Sequence, residues 1–526
     1  MLKSVCRNIS LFLTSPCEIS LIGIPAAMGV CGSFLGIFLF YPGVINPDTY
    51  NQYCQMEIGI IGDWHPPIML ATWKLFRWLY FIATGETIRG EGFLYVSWTL
   101  LLWGGLFLIL RSNPSFWHNK GKFQKPWWVV AGIIFVLMWL SLDLFDKPHI
   151  ITKDTGMLAN YLFAVGCLMN LPTKKPLRWG VALIVLFCLF YGTAVRHNAV
   201  FSVIPLLYWL IRSMIPWKKM VVVVPGTLIL WGGMLAMIHF INYDFIGAVR
   251  LYPLHERFYA DIFQLNARTD RFMMPPDTFG NDFSKLNEKV FRDLYLKEKL
   301  FIRYAFEKLN ERFSDNIFLF DHAVFVFDCS TDVIMPGVSP SDQESKVASR
   351  STPDFYGNSR DYSDAGKHLV HFTDEEFVRT QYPRDYLILR KAWMDRLLQD
   401  PVAYIKFKTY FFIRYCKVSS LYFWGLNPFF LMPLVFLIAV SPMFADAPFN
   451  RSAFPSVMLA WSALLYILPL WLFLPDDSFR YLLWFFAASL TSIVMFCHAS
   501  PLIRSLLRKT VHGVTMVFRP GTNTRS

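Results

Sequence analysis

Two polar clusters, Ile45-Asn46-Pro47-Asp48-Thr49-Tyr50-Asn51-Gln52 and Asp63-Trp64-His65-Pro66-Pro67, follow closely on an apolar run long enough to cross a bilayer. An unpaired charge beside lipid is costly, so the ionisable groups of this loop are candidates for chemistry. Asp48 is ionised at neutral pH and could take a proton from an incoming hydroxyl. Following Pro47, it could equally cap a helix starting at Thr49 by accepting backbone amide hydrogens. Two prolines after His65 favour an extended turn that fixes Asp63 and His65, and an imidazole there could donate to phosphate or help hold a metal. With Asp154 these two make a candidate set for a divalent cation, set against a structural hydrogen-bond network or a packed turn histidine.

A second kind of chemistry is anion binding. Arg196 ends one apolar run and Arg480 begins another, and a guanidinium can grip two phosphate oxygens at once. Lys74 is a further candidate, Tyr481 and Trp484 suit a membrane interface, and Asp154 and His197 stand as supporting residues. The alternatives are that Arg196 snorkels and that Arg480 pairs with Asp476 or Asp477.

The elements that position these residues follow from composition. With 54% hydrophobic and only 17% charged residues in 526, the chain has the profile of a polytopic membrane protein. A net charge of +12 would suggest nucleic acid in a soluble chain. Here the basic residues cluster between apolar runs without a basic stripe interleaved with aromatics, so they act as topology signals and no nucleic-acid partner is expected. The run-length rule predicts an all-α protein of about ten transmembrane helices, at 19–41, 93–110, 127–144, 155–171, 179–195, 199–216, 220–241, 425–443, 453–474 and 480–499. The first run lacks a small-residue cleavage site and reads as a retained anchor.

Lysine and arginine clusters at Arg111 to Lys125, Lys174 to Arg178, Arg212 to Lys219 and Arg504 to Arg525 predict both termini in the cytoplasm. Counting 68–85 as a span would invert every later basic loop. Leu75, Trp78, Leu79 and Ile82 recur there at helical spacing, with Lys74 and Arg77 on another face, so an interfacial helix is expected; the two cations could also merely snorkel to headgroups. This topology divides the chain into a membrane region 1–241 with its first outer loop at 42–92, an extracytoplasmic segment 242–424 with interfacial helices, and a membrane region with a basic tail at 425–526. Asp48, Asp63, His65, Asp154, Arg196, His197 and Arg480 then share one outer face. In the outer segment, 316–326 reads as a strand of a small mixed α/β part and 337–367 as a polar loop. Cys54 and Cys329 both lie outside and could pair, although nothing in the sequence fixes their distance.

The order of a first span, an outer loop opening on a carboxylate, an amphipathic helix, and spans flanked by Lys153-Asp154, Arg196-His197-Asn198 and Arg480-Tyr481 resembles the C-type glycosyltransferase superfamily. The loop Asn46-Pro47-Asp48…Gln52…Asp63-Trp64-His65-Pro66-Pro67, and Ala392-Trp393-Met394 through Asp400-Pro401-Val402-Ala403-Tyr404, are similar to a bacterial branch of it. The resemblance implies transfer of a sugar from a polyprenyl-phosphate donor to a cell-envelope glycan or glycolipid, such as lipopolysaccharide, on the outer face of a bacterial cytoplasmic (inner) membrane. It implies Asp48 as base, with Asp63 and His65 catalytic, Arg196, Arg480, Lys74 and Tyr481 on the donor phosphate, and a divalent metal in only some relatives. An envelope polysaccharide polymerase or ligase shares lipid-linked substrates and stays open, as does a lipid flippase or transporter.

Overall fold

A computed structural model describes residues 23–41, 43, 52, 55, 61–63, 65–85, 90–112, 151–215, 220–250, 252, 254–269, 271–278, 382–422, 427–443, 447–473 and 479–500. The described residues are mostly helical, and their one strand-like feature is an isolated parallel bridge between Gly62 and Val249. In chain order the helices are α1 (Gly23–Phe40), α2 (Pro67–Thr84), α3 (Gly90–Arg111), α4 (Lys153–Met169), α5 (Lys175–Ala194), α6 (Val203–Met214) and α7 (Met220–His239). They continue as α8 (His255–Arg268), α9 (Tyr382–Gln399), α10 (Pro401–Tyr422), α11 (Pro428–Val440), α12 (Ala447–Phe473) and α13 (Leu483–Ala499). The expected strand at 316–326, the loop at 337–367, the run 127–144 and the Cys54 and Cys329 pair lie outside the described residues.

Four helices are long and apolar enough to cross a membrane: Gly92–Arg111, Lys175–Ala194, Val221–Phe245 and Ala453–Leu472. Gly29–Phe40, Val203–Met214, Pro428–Met443 and Leu483–Cys497 are shorter apolar helices. The all-α membrane architecture therefore holds, but the described residues do not give ten spans. Run length alone overcounts because apolar residues also fill the 3-10 turns 197–200, 441–443 and 479–482. The 12 residues of α6 rise only about 18 Å, short of a hydrocarbon core of about 30 Å.

Small residues let these helices approach closely, as lipid-embedded packing requires. On α3, a Cβ added to Gly105 would lie 2.6 Å from the backbone of Leu162 and Phe163 on α4, and one on Gly166 would lie 2.8 Å from the Gly105 carbonyl. Deeper in, Trp484 Nε1 donates to Ser462 Oγ at 3.1 Å, and Ser462 Oγ donates to the Ser202 carbonyl at 2.6 Å. These bonds pin α12 and α13 to the turn before α6, so a buried polar ladder fixes where the α5 to α6 corner sits.

The two ends of the helices differ in chemistry. Arg111, Lys174, Lys175, Arg178 and Arg212 lie at one end, where an Arg178 amine donates to the Ser213 carbonyl and Arg212 lies 4.3 Å over the Phe454 ring. Asp63, Lys153, Asp154, Arg196 and Tyr481 lie at the other. On α2, Leu75, Trp78, Leu79 and Ile82 form one exposed apolar stripe while Met69, Trp73 and Tyr80 are buried, so the predicted apolar face exists.

Beyond the second end, α8 packs on α9 and α10 around a buried charge. Lys408 Nζ lies 2.6 Å from Asp261 Oδ1, and Trp393 Nε1 and Tyr404 Oη each donate to Asp261 Oδ2 at 3.1 Å. Arg396, fully buried, pairs with Asp400 and donates to Asn266 and Thr269.

Candidate functional site

The candidate site lies where the starts of α2, α4 and α6 meet the ends of α5 and α7. Asp63 N donates to the Val249 carbonyl at 3.0 Å and Val249 N donates to the Ile61 carbonyl at 2.8 Å, which ties the loop before α2 to the segment after α7. The Gly62 amide donates to Gln55 Oε1 at 3.0 Å, closing the loop from inside. Pro67 then opens α2, where a missing amide hydrogen costs nothing, and the chain leaves Asp63 and His65 in a fixed, buried corner.

A π-turn at Phe240–Phe245 ends α7 and aims Tyr243 at this corner. Its hydroxyl donates to Asp63 Oδ2 at 2.8 Å, and the Arg250 guanidinium sits 4.6 Å over the Tyr243 ring. Such π-turns recur at functional sites because the extra residue per turn redirects a side chain.

His65 Nδ1 lies 3.2 Å from Lys153 Nζ. An ammonium has only donors, so His65 accepts at Nδ1 and carries its proton on Nε2. Lys153 opens α4, whose Thr152 cap accepts from the Thr155 amide at 3.3 Å. Asp154 follows in the first turn, where the helix dipole favours a carboxylate. It is fully buried, with Arg196 Nε 3.0 Å from Oδ1, and the Arg196 guanidinium stacks 4.6 Å over the Tyr481 ring.

His197 opens the 3-10 turn after Arg196 and donates to the Asp63 backbone. Part of its surface is exposed, yet it is set back among protein atoms. That desolvation first, then the Lys153 and Arg196 cations, push its imidazole down to about 4, against the opposing hydrogen bond to Asp63. A neutral histidine thus sits between two cations and the Asp63 backbone.

The structure brings together Asp63, His65, Asp154, Arg196, His197 and Tyr481. Asp48 and the Arg480 side chain lie outside the described residues, Arg480 falling within the turn Phe479–Leu482. Lys74 is exposed on α2, and among the described residues no hydrogen bond or ion pair joins it to the cluster. The metal set of Asp63, His65 and Asp154 is not assembled: among the described residues no three His, Cys, Asp or Glu side chains gather, and Asp154 and His65 face cations instead.

No protein-family model, curated protein or solved structure matches this chain. The site therefore stands on its own geometry. Sequence reasoning missed Tyr243 and gave Lys153 no role. Lys153 could have been found from its place in the first turn of a helix beside Asp154. Tyr243 carried no such signal, because the π-turn that aims it breaks the helical period.

Proposed function

We propose that the protein is a membrane-embedded transferase acting on a lipid-linked sugar phosphate, with the site just described as its catalytic end. The observation that carries this reading is the cluster of Lys153 and Arg196 with the Asp63 and Asp154 carboxylates, set at the end of apolar helices. Sugar transfer from a polyprenyl phosphate needs a base for the acceptor hydroxyl and donors for the departing phosphate. Lys153, half-buried and pointing at His65, and the neutral His65 Nε2–H supply donors for phosphate oxygens. Arg196, already paired with Asp154 and stacked on Tyr481, positions that end of the pocket.

For the base, Asp63 and Asp48 are both within the reading. Asp63 has its carboxylate oriented by Tyr243, leaving its other oxygen directed by the corner's geometry. The acceptor is a cell-envelope glycan or glycolipid, and the remaining apolar helices complete a multi-pass protein with both termini in the cytoplasm and the site outward. The basic residues at the opposite end support that orientation. A transporter would place ionisable groups at the helix midpoints, whereas the cluster sits at helix ends.

The test is direct. Purified protein in vesicles receives a polyprenyl-phosphate donor with a radiolabelled sugar and an envelope glycolipid acceptor, and label in the acceptor is counted. Transfer of single sugars that falls at least about a hundredfold in Asp63→Asn or Lys153→Ala supports the reading. Chain growth instead points to a polymerase, and no transfer with any envelope acceptor sinks the proposal.

A further inference from the structure

Next to Asp63 the chain gathers a set of rings and polar groups that phosphate chemistry does not use. Tyr252 has a backbone φ of 46°, in the left-handed region where a bulky aromatic is strained. Its carbonyl is gripped twice by His255, by the amide at 3.0 Å and by Nδ1–H at 3.0 Å. The surrounding structure thus holds Tyr252 in a costly conformation that fixes where its ring goes.

That ring stacks on Tyr386 with centroids 4.3 Å apart and planes 20° from parallel. Tyr386 is backed by Phe258 at 5.6 Å, which stacks on Trp393 at 4.7 Å, and Trp393 is anchored to Asp261. A rigid aromatic column therefore rises from the buried core of α8 to α10 and ends in two half-buried tyrosines. At its edge, Tyr252 lies within electrostatic reach of Tyr243, and Tyr386 within reach of Asp63 and Arg390. Arg250 and Arg390 are exposed there.

An aromatic ring face backed by a second stacked ring and edged by hydroxyls and guanidinium groups complements one kind of molecule well. A pyranose ring offers an apolar C–H face to stack and a rim of hydroxyls to hydrogen-bond. An isolated phosphate would leave the rings unused, and an acyl chain would leave the polar rim unmatched. We propose that Tyr252 and Tyr386, with Arg250 at the edge, form a saccharide-binding ledge for one pyranose ring. That this ring belongs to the acceptor glycan rests on the transferase reading; the ledge itself does not.

The experiment reads binding without donor or turnover. Full-length protein in a sugar-free detergent is mixed in turn with methyl α-D-mannopyranoside, methyl β-D-glucopyranoside and methyl β-D-galactopyranoside, and saturation transfer from protein to sugar is recorded by NMR. At least one probe should show saturation strongest on its ring C–H protons. Tyr252→Phe and Tyr386→Phe, which keep the stack, should retain it within about twofold, while Tyr252→Gly and Tyr386→Leu should lower it about fivefold or more. Arg250→Ala, an exposed change that leaves the rings in place, should lower it about threefold and decides the matter should a ring variant fail to fold. Absence of saturation for all three sugars, or equal saturation in wild type, the folded ring variants and Arg250→Ala, overturns the ledge. A protein that binds sugars here but transfers none would keep the ledge and lose the transferase reading, and the reverse result would do the opposite.

Discussion

Two buried ion pairs divide the molecule, and they are finished differently. Asp261 is saturated: Lys408 takes one oxygen, and Trp393 and Tyr404 both donate to the other. Burial lowers the Lys408 ammonium from its ordinary value, and the adjacent Asp261 opposes that shift. Asp154 has the same depth and a comparable partner in Arg196, but Lys153, His65, His197 and Asp63 share the same corner and gather further ionisable groups beside it. A buried pair is therefore no sign of function in itself. A gathering of several ionisable groups at an end that keeps some exposure is the better indicator.

The sharpest break of this comparison sets chemistry against folding. Lys153→Ala and Asp63→Asn should each lower transfer about a hundredfold or more while melting temperature moves little. Asp261→Ala should do the reverse, costing about 3 to 5 kcal/mol of stability by orphaning Lys408, with activity per folded molecule preserved. Chemical denaturation and labelled-sugar transfer on the same preparations separate the two. Equal losses of activity and stability in all three variants would erase the distinction between the pairs.

Proton linkage gives a middle-sized effect. His255, buried beneath the Tyr252 corner, is pushed down to about 4 by desolvation, with the hydrogen bond to Tyr252 opposing. The unfolded chain binds this proton near pH 6.5 and the folded chain only near pH 4. Stability from the neutral ring is thus complete above about pH 6.5, is lost as pH falls toward 4, and levels off below that, by a few kcal/mol at most. A plot of unfolding free energy against pH should slope in that window, and His255→Gln should flatten it. An unchanged slope in the variant would remove His255 as its source.

A smaller effect tests the helix contact that holds α4 in place. Gly105→Val should destabilise by about 1 to 3 kcal/mol, because the α4 backbone stands in its way. Denaturation midpoints check this, and a neutral result would mean the α3 to α4 spacing can widen without disturbing Lys153 and Asp154.

Much of this was legible beforehand, and the failures are specific. The apolar runs at 93–110 and 179–195 became α3 and α5 because long apolar stretches in lipid must satisfy their own backbone. The clustering of lysines and arginines put Asp154 and Arg196 on one side, and the structure brings the two into contact. The pairing between them was not readable, since it depends on how the α5 to α6 corner is pinned by Ser202 and Ser462. The span count failed where apolar residues occupy 3-10 turns, which hydropathy cannot distinguish from helix. The conformation of Tyr252 was not legible, because a positive φ at a tyrosine contradicts local preference and is set by contacts distant in sequence.

The turn at Phe240–Phe245 makes the site sensitive to chain length as well as to residue identity. A π-turn holds one residue more than the α-helical turn it replaces. Deleting a single residue there would let α-helical bonding resume and change which side chain the turn presents to Asp63. Tyr243 would leave Asp63, and the Val249 bridge would lose its register. One amino acid of spacing thus serves as a catch between α7 and the corner that holds Asp63.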